Sequence, residues 1–313
     1  MRVVFLGTPQ AAVPSLEAIL AAGHDVPLVV TRADKPVGRS GTPEAPPVKV
    51  RAAAAAIPVL QPTKVRDAAF LSAIEEARPD ALAVVAYGRL LTRPVLDVAP
   101  HGAINVHFSL LPSYRGAAPV ARALVGGETE TGVTTFRLDE GLDTGDVLLA
   151  RRAAIEPREH APSLLSRLSK LGASLLVETL AGLDAGSIVP HPQNHALATL
   201  APLITRADGT WDPVWTARQV EGRVRGLDPW PGVWAARNGK RIRIVEARAI
   251  EGTTAEPAGT VVEAGDALAL SCASGTLLGL DSLQPEGRRA VSAREAVSGR
   301  QLAPGDRLER PPA

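Results

Sequence analysis

The sequence predicts an α/β protein in two parts, a parallel sheet covered by helices and then a small β-barrel. Three observations carry this. Residues 2–7 form an apolar run that stops at Gly7-Thr8-Pro9; a helical pattern then runs from about Val13 to Ala22, closed by Gly23, and a second apolar run spans Asp25–Thr31. Strand, turn, helix, strand is a βαβ unit, which joins parallel strands. From Thr205 the pattern changes to short alternating runs at 232–236, 240–246, 259–263, 267–271 and 276–280, punctuated by glycines at barrel-like intervals. The third observation is length, because 313 residues suffice for two cores.

Composition narrows the class. A chain that is 45% hydrophobic and 21% charged is globular, not disordered. No apolar run reaches 18 residues, so no membrane helix is expected, and the N-terminal run is too short for a signal peptide. Cys272 is the only cysteine, which rules out an intrachain disulfide and a cysteine-rich metal site. These features fit a cytoplasmic protein. With a net charge of +1, any nucleic-acid surface must be local.

Along the first half, Gly7-Thr-Pro lacks the Gly-x-Gly-x-x-Gly spacing of a dinucleotide site and reads as a tight strand-to-helix turn. Residues 32–50 hold four prolines and two glycines, which predicts a long loop with no helix or strand before Val48. Helices are expected from Val48 to about Ala56 and from Asp67 to Ala77, and a buried strand over 81–86. That strand ends at Tyr87-Gly88-Arg89-Leu90, where open α/β sheets place ligands. Residues 102–108 read as another buried strand, 117–125 as a helix and 131–138 as a strand.

The stretch 105–116, Asn-Val-His-Phe-Ser-Leu-Leu-Pro-Ser-Tyr-Arg-Gly, holds the candidate chemistry. On a strand Asn105 and His107 point the same way, placing an amide donor beside a titratable imidazole. Asn-x-His alone reads more readily as a polar strand end with satisfied hydrogen bonds. Ser109-Leu-Leu-Pro112 follows, then Arg115-Gly116, and 27 residues after Gly116 comes Asp143 in Asp139-Glu-Gly-Leu-Asp-Thr-Gly145. The acidic loop lacks calcium-loop spacing and has no His or Cys partners, so no metal is expected there.

This ordered set resembles the folate-dependent formyltransferases. Arg115-Gly-Ala-Ala-Pro119 and Asp139-Glu-Gly-Leu-Asp-Thr-Gly145 look like the branch that acts on methionyl-tRNA. The resemblance implies a Rossmann-like formyltransferase domain over 1–189, a linker over 190–204 and an OB-like, tRNA-contacting barrel over 205–313. It implies formyl transfer from 10-formyltetrahydrofolate to the α-amine of initiator methionyl-tRNA, releasing tetrahydrofolate, with no metal, no membrane and a monomer as the family expectation. Asn105, His107 and Asp143 are the implied catalytic residues. Ser109, Leu110, Leu111 and Pro112, with Tyr87, Gly88 and Leu90, are the implied folate contacts. Ser109 lacks the Gly-x-Ser-x-Gly setting of a nucleophile.

By the same resemblance the 32–50 loop enters the tRNA acceptor stem, with Arg39 as the key arginine and Lys35 as a second contact. The chain departs from the family in having Ser40, Gly41 and Thr42 where lysines are usual, with Glu44 opposing, so a weaker grip or a heavier reliance on Arg39 is expected. Acceptors that would keep the chemistry are an amino-sugar nucleotide or glycinamide ribonucleotide. A non-catalytic RNA-binding protein on the same scaffold is the reading from another class.

The second half opens with an extended segment, 151–157, and an apolar helix, 163–183, whose leucines recur at helical spacing and serve packing. Residues 187–204 carry three prolines; His191 and His195 there have a proline between them and no companion ligands, so they read as non-metal residues. A helix is expected near 217–226. Residues 218–248 hold eight basic against three acidic side chains, a local excess suited to phosphate. Arg241 and Arg243, on one face of one strand, are the first choices for RNA contact. The tail from Arg300 reads as polar, with an unstructured tip.

Overall fold

The computed structural model describes residues 1–36 and 43–311. Arg39, Ser40, Gly41 and Thr42 lie outside the described residues, as does the tip of the tail, 312–313. Two compact units are present: the first comprises 1–119, 130–154 and 165–202, the second 120–129, 155–164 and 203–313. No helix among the described residues is long and apolar enough to cross a membrane.

Through residue 202 the strands are β1 (Val3–Gly7), β2 (Val29–Val30), β3 (Lys35–Pro36), β4 (Pro43–Glu44), β5 (Val59–Leu60), β6 (Ala81–Val85), β7 (Ala103–His107), β8 (Glu130–Arg137) and β9 (Val147–Ala154). The helices are α1 (Val13–Ala21), α2 (Pro47–Ala54), α3 (Ala68–Glu76), α4 (Arg93–Leu96), α5 (Pro119–Gly126) and α6 (Ala161–Asp184). In the first unit seven strands form one Rossmann-like sheet in the order β5-β2-β1-β6-β7-β8-β9. All five residues of β1 and of β6 are buried, as expected for central strands covered on both faces. Val4 and Leu6 alternate onto one face, where they share a core with Phe70 and Ile74, four apart on α3.

The sheet is parallel only as far as β7. β8 and β9 add antiparallel, with His107 opposite Thr134 and Glu130 opposite Ala154. A second departure concerns the proline-rich segment. β3 and β4 form a short antiparallel pair, Lys35 opposite Glu44 and Pro36 opposite Pro43, where no strand was expected. Proline removes a ladder donor, but a two-residue ladder open on both sides needs few.

In the second unit β10 (Val233–Arg237), β11 (Lys240–Thr253), β12 (Val261–Ala264), β13 (Ala267–Ser271) and β14 (Thr276–Pro285) make an antiparallel sheet in the order β10-β11-β14-β13-β12, with β15 (Val291–Ser292) on β14. β11 continues past the predicted end at Glu246, because register shifts between Ile244 and Ala247 and again after Ile250 let it bend and keep its pairing.

Ahead of its tip, the tail from Arg300 is paired into the sheet. Val261 N–H donates to Asp306 O (2.8 Å) and Leu308 N–H to Gly259 O (2.7 Å), while Ala236 and Glu309 exchange two backbone bonds of 2.8 Å each. The segment thus joins the β12 side to β10 and closes the OB-like barrel. Leu302 and Leu308 are buried in its core, an alternation too sparse to read as a strand.

α7 (Ala217–Gly226) and α8 (Ala293–Ser298) each start with a capping box, Thr216/Gln219 and Ser292/Glu295. Gly222 and Gly226 allow α7 to approach α5 closely: a β carbon at either would lie 2.6 Å from a backbone oxygen, Leu124 O and Ala121 O respectively. Cys272 lies in the barrel core, 1% exposed, and burial pushes its thiol up to about 12. The native protein is therefore expected to resist thiol-specific alkylation at pH 8. Labelling should appear only as urea unfolds it, read by mass spectrometry across the denaturation curve.

Candidate active site

β7 positions the site. It pairs with β6 on one side (Val84 opposite Asn105) and with β8 on the other (Asn105 opposite Phe136), so the backbone under Asn105 and His107 is fixed from both flanks. Both residues line a cavity of about 480 Å³ in the first unit, together with Tyr87, Gly88, Leu90 and Asp143. The Asn105 side chain makes no hydrogen bond to any described residue, which leaves its amide to serve a ligand. The alternative of a strand end with satisfied hydrogen bonds does not describe it.

His107 is 6% exposed, and its ring meets Phe136 edge-on at 6.3 Å between centroids. Its Nε2–H donates to the Tyr114 carbonyl at 2.9 Å. In the neutral ring the lone pair is therefore on Nδ1, which faces Asp143 Oδ2 at 3.7 Å. Burial pushes the imidazole below its ordinary value, and the opposing pull of the Asp143 charge and the Tyr114 carbonyl does not overcome it. The site thus holds a neutral base beside a carboxylate.

Asp143 sits in the left-handed region (φ 54°), and its Oδ2 accepts from Gly116 N–H at 2.7 Å. Gly116 has φ 121°, and a β carbon there would lie 2.8 Å from Ala201 O, so only glycine fits. Behind this contact is an arrangement the sequence reading missed. Arg115, 6% exposed, donates from Nε and Nη2 to Gln193 Oε1 (3.1 and 2.6 Å) and from Nη2 to His195 Nδ1 (3.0 Å). Gln193 Nε2 in turn donates to Asp143 O (2.9 Å) and Gly145 O (2.7 Å), holding the acidic loop by its backbone. Nothing in the sequence marks a single glutamine after Pro192 as a partner of residues about 50 positions away.

Of the expected folate contacts, Tyr87, Gly88 and Leu90 line the cavity, whereas Ser109, Leu110, Leu111 and Pro112 are not in its wall. Ser109 is buried and donates to Ser113 O at 2.6 Å; Thr134 Oγ1 donates to Ser109 O at 2.7 Å and accepts from Leu111 N–H at 3.1 Å. This is a closed turn, and it shapes the segment leading to Arg115. Among the described residues no His, Cys, Asp and Glu cluster could hold a metal.

The expected RNA contacts fall in separate places. Lys35 is exposed on the β3–β4 pair, and Arg39 lies outside the described residues. Arg241 is exposed on β11, with its backbone N–H donating to Glu286 at 3.2 Å. Arg243 is turned to internal partners, Asp228 Oδ1 at 3.1 Å and Pro229 O at 2.9 Å. Arg237 binds Asp306 at 2.7 Å and Arg248 pairs with Asp281, so carboxylates from outside residues 218–248 offset part of the basic excess counted there.

An asparagine, a histidine and an aspartate thus line one cavity beside the interior strands β6 and β7 of a Rossmann-like sheet, and the class of protein follows from its likeness to known formyl transferases. The family model "Formyl transferase" matches residues 1–180, and "Formyl transferase, C-terminal domain" matches 203–301. The chain is 47% identical over 310 residues to a methionyl-tRNA formyltransferase of Acidobacterium capsulatum, covering 98% of this chain and 99% of that one. It is 44% identical to one of Desulfotalea psychrophila, covering 96% and 94%. The chain belongs to the methionyl-tRNA formyltransferase family. An N-formyltransferase from Helicobacter canadensis, solved with folinic acid and dTDP-3-aminofucose, shares the fold (TM-score 0.66, 17% identity, covering 91% of this chain and 99% of that one).

Two outcomes are expected. Asp143→Asn keeps an acceptor for Gly116 N–H but removes the charge that raises His107, so the imidazole should titrate still lower, followed by NMR of its ring protons. An upward movement would contradict the electrostatic reading. Gln193→Ala leaves Arg115 with His195 alone and should destabilise the protein by about 2 kcal/mol in urea melts, with a parallel loss of turnover.

Proposed function

We propose that this protein transfers the formyl group of 10-formyltetrahydrofolate to the α-amine of initiator methionyl-tRNA, in the cytoplasm and as a monomer. Residues 1–189 carry the chemistry, 190–204 connect, and 205–313 contact the tRNA. The observation that carries the reading is the convergence of an uncommitted Asn105 amide, His107 Nδ1 and Asp143 Oδ2 on one cavity. Such a set suits attack by an amine on a formyl carbon. The names and near-full-length identity of the relatives support the acceptor.

In this reading the α-ammonium first gives a proton to solvent, and the neutral amine attacks the formyl carbon. The carbonyl electrons move to oxygen, and the tetrahedral oxyanion accepts a hydrogen bond from the Asn105 amide. His107 takes the proton shed by the attacking nitrogen at Nδ1, because Nε2 already holds its proton on Tyr114 O. The imidazolium so formed faces Asp143, which compensates the cost of charging a buried ring. Returning that proton to the folate nitrogen as its C–N bond to the formyl carbon breaks completes the transfer, with N-formylmethionyl-tRNA and tetrahydrofolate as products. No covalent enzyme intermediate is needed. Lys35 and Arg39 contact the acceptor stem, and Arg241, with Arg243 if it is released from Asp228, contacts the RNA from the barrel.

The test is formylation of initiator Met-tRNA by the purified protein with 10-formyltetrahydrofolate, against elongator Met-tRNA and an amino-sugar nucleotide as acceptors. Turnover confined to the initiator tRNA is expected. His107→Ala and Asp143→Ala should each lower turnover by roughly 100-fold or more, with tRNA affinity nearly unchanged. Near-normal turnover in either variant refutes the catalytic assignment, and turnover only on the sugar refutes the acceptor.

A further inference from the structure

β1 lies between β2 and β6, so the carboxyl ends of these strands border a switch-point crevice of the kind that binds ligands in α/β sheets. The cavity described above occupies the β6 and β7 side. On the β2 side, directly after Thr31, stands Arg32. Its carbonyl accepts from Gln61 Nε2 at 2.7 Å, but its side chain has no hydrogen-bond or ion-pair partner among the described residues, and its Nε is buried without an acceptor.

The nearest carboxylate in sequence is already engaged. Asp34 takes both contacts of Lys49 Nζ (2.9 and 2.8 Å) and one of Gln61 Nε2 (2.7 Å). Arg89 is also without a carboxylate among the described residues, with Nη1 donating only to the carbonyls of Pro62 (3.1 Å) and Thr63 (2.8 Å). Two uncompensated guanidinium groups therefore flank the Tyr87-Gly88 turn of the cavity wall. The approach is close: a β carbon on Gly88 would lie 3.6 Å from Arg32 Nη1. Both cations act to lower the Tyr87 phenol, although its burial outweighs them and raises it.

We propose that Arg32 binds a backbone phosphate of the acceptor RNA near its 3′ end, between the β3–β4 pair and the catalytic cavity. This rests on the tRNA reading given under Proposed function. Arg32 is three residues before Lys35 on that pair and abuts Gly88 in the cavity wall, so a strand running from one to the other passes its guanidinium. A planar fork of donors, held at one edge by burial and free at the other, suits two oxygens of one anion. A carboxylate of the folate donor has the same chemistry, and the experiment separates the two sources.

Steady-state formylation by full-length Arg32→Gln is measured with initiator Met-tRNA varied at saturating 10-formyltetrahydrofolate, then with the folate varied, from 50 to 200 mM salt. The KM for tRNA should rise about tenfold, and the slope of log affinity against log salt should become shallower by about one. The effect on the KM for folate should stay within twofold. An unchanged tRNA KM and slope overturns the proposal, as does a rise confined to the folate KM, which would assign Arg32 to the donor. Arg32→Lys, which keeps the charge, should retain the wild-type salt slope. If it loses the slope as Gln does, the role is packing and the proposal fails. Wild-type protein that does not formylate initiator Met-tRNA overturns the function itself, whereas an active wild type with an unaffected Arg32→Gln overturns only this inference.

Discussion

Burying a whole guanidinium is costly unless its donors find acceptors, and the site depends on how that demand is met for Arg115. Its partners are neutral, Gln193 Oε1 and His195 Nδ1. The cost of burying the charge is offset only while residues 193–195 stay in place. The backbone reinforces them, since Arg115 N–H donates to Thr199 O and Ala201 N–H to Arg115 O. Gly116 is fixed by the same pairing, and its N–H holds the Asp143 carboxylate. One buried cation thus links the segment after β7, the stretch near residue 195 and the acidic loop.

His107 then works within a narrow electrostatic range. Burial favours the neutral ring and Asp143 favours the charged one, with burial prevailing. In the proposed mechanism such a ring, neutral at rest but facing a carboxylate, would accept a proton and give it up again. The Tyr114 carbonyl fixes which nitrogen does this. The Asn105 side chain has no such partner among the described residues, which in the proposed mechanism would separate the ligand-facing group from the proton-handling one.

Charge in the second unit shows the difference between counting residues and locating them. Residues 218–248 are strongly basic in sequence, yet Arg237, Arg243 and Arg248 each hold a carboxylate, and the Arg223 guanidinium lies 3.9 Å over the Trp215 ring. These arginines join β10, β11 and α7 to the rest of the barrel. Phosphate binding that used Arg237, Arg243 or Arg248 would have to break an existing pair.

The sequence by itself determined what rests on local pattern. Continuous apolar runs identified β1, β6 and β7, leucine spacing identified α6, and the order Asn-x-His, Ser-Leu-Leu-Pro, Asp-Thr-Gly identified the formyl transferases. It did not show the antiparallel turn of the sheet after β7, the short β3–β4 pair, or the closing of the barrel by residues 305–309. Those depend on pairings between distant segments, in which Leu302 and Leu308 are too few to announce a strand. Nor could it show that Gln193 carries the Asp143 loop, that Arg243 is occupied, or that the Arg32 side chain has no partner among the described residues. Hydrogen-bond satisfaction is a property of neighbours in space, and only the tertiary structure decides which charged groups are already paired and which are left for a ligand.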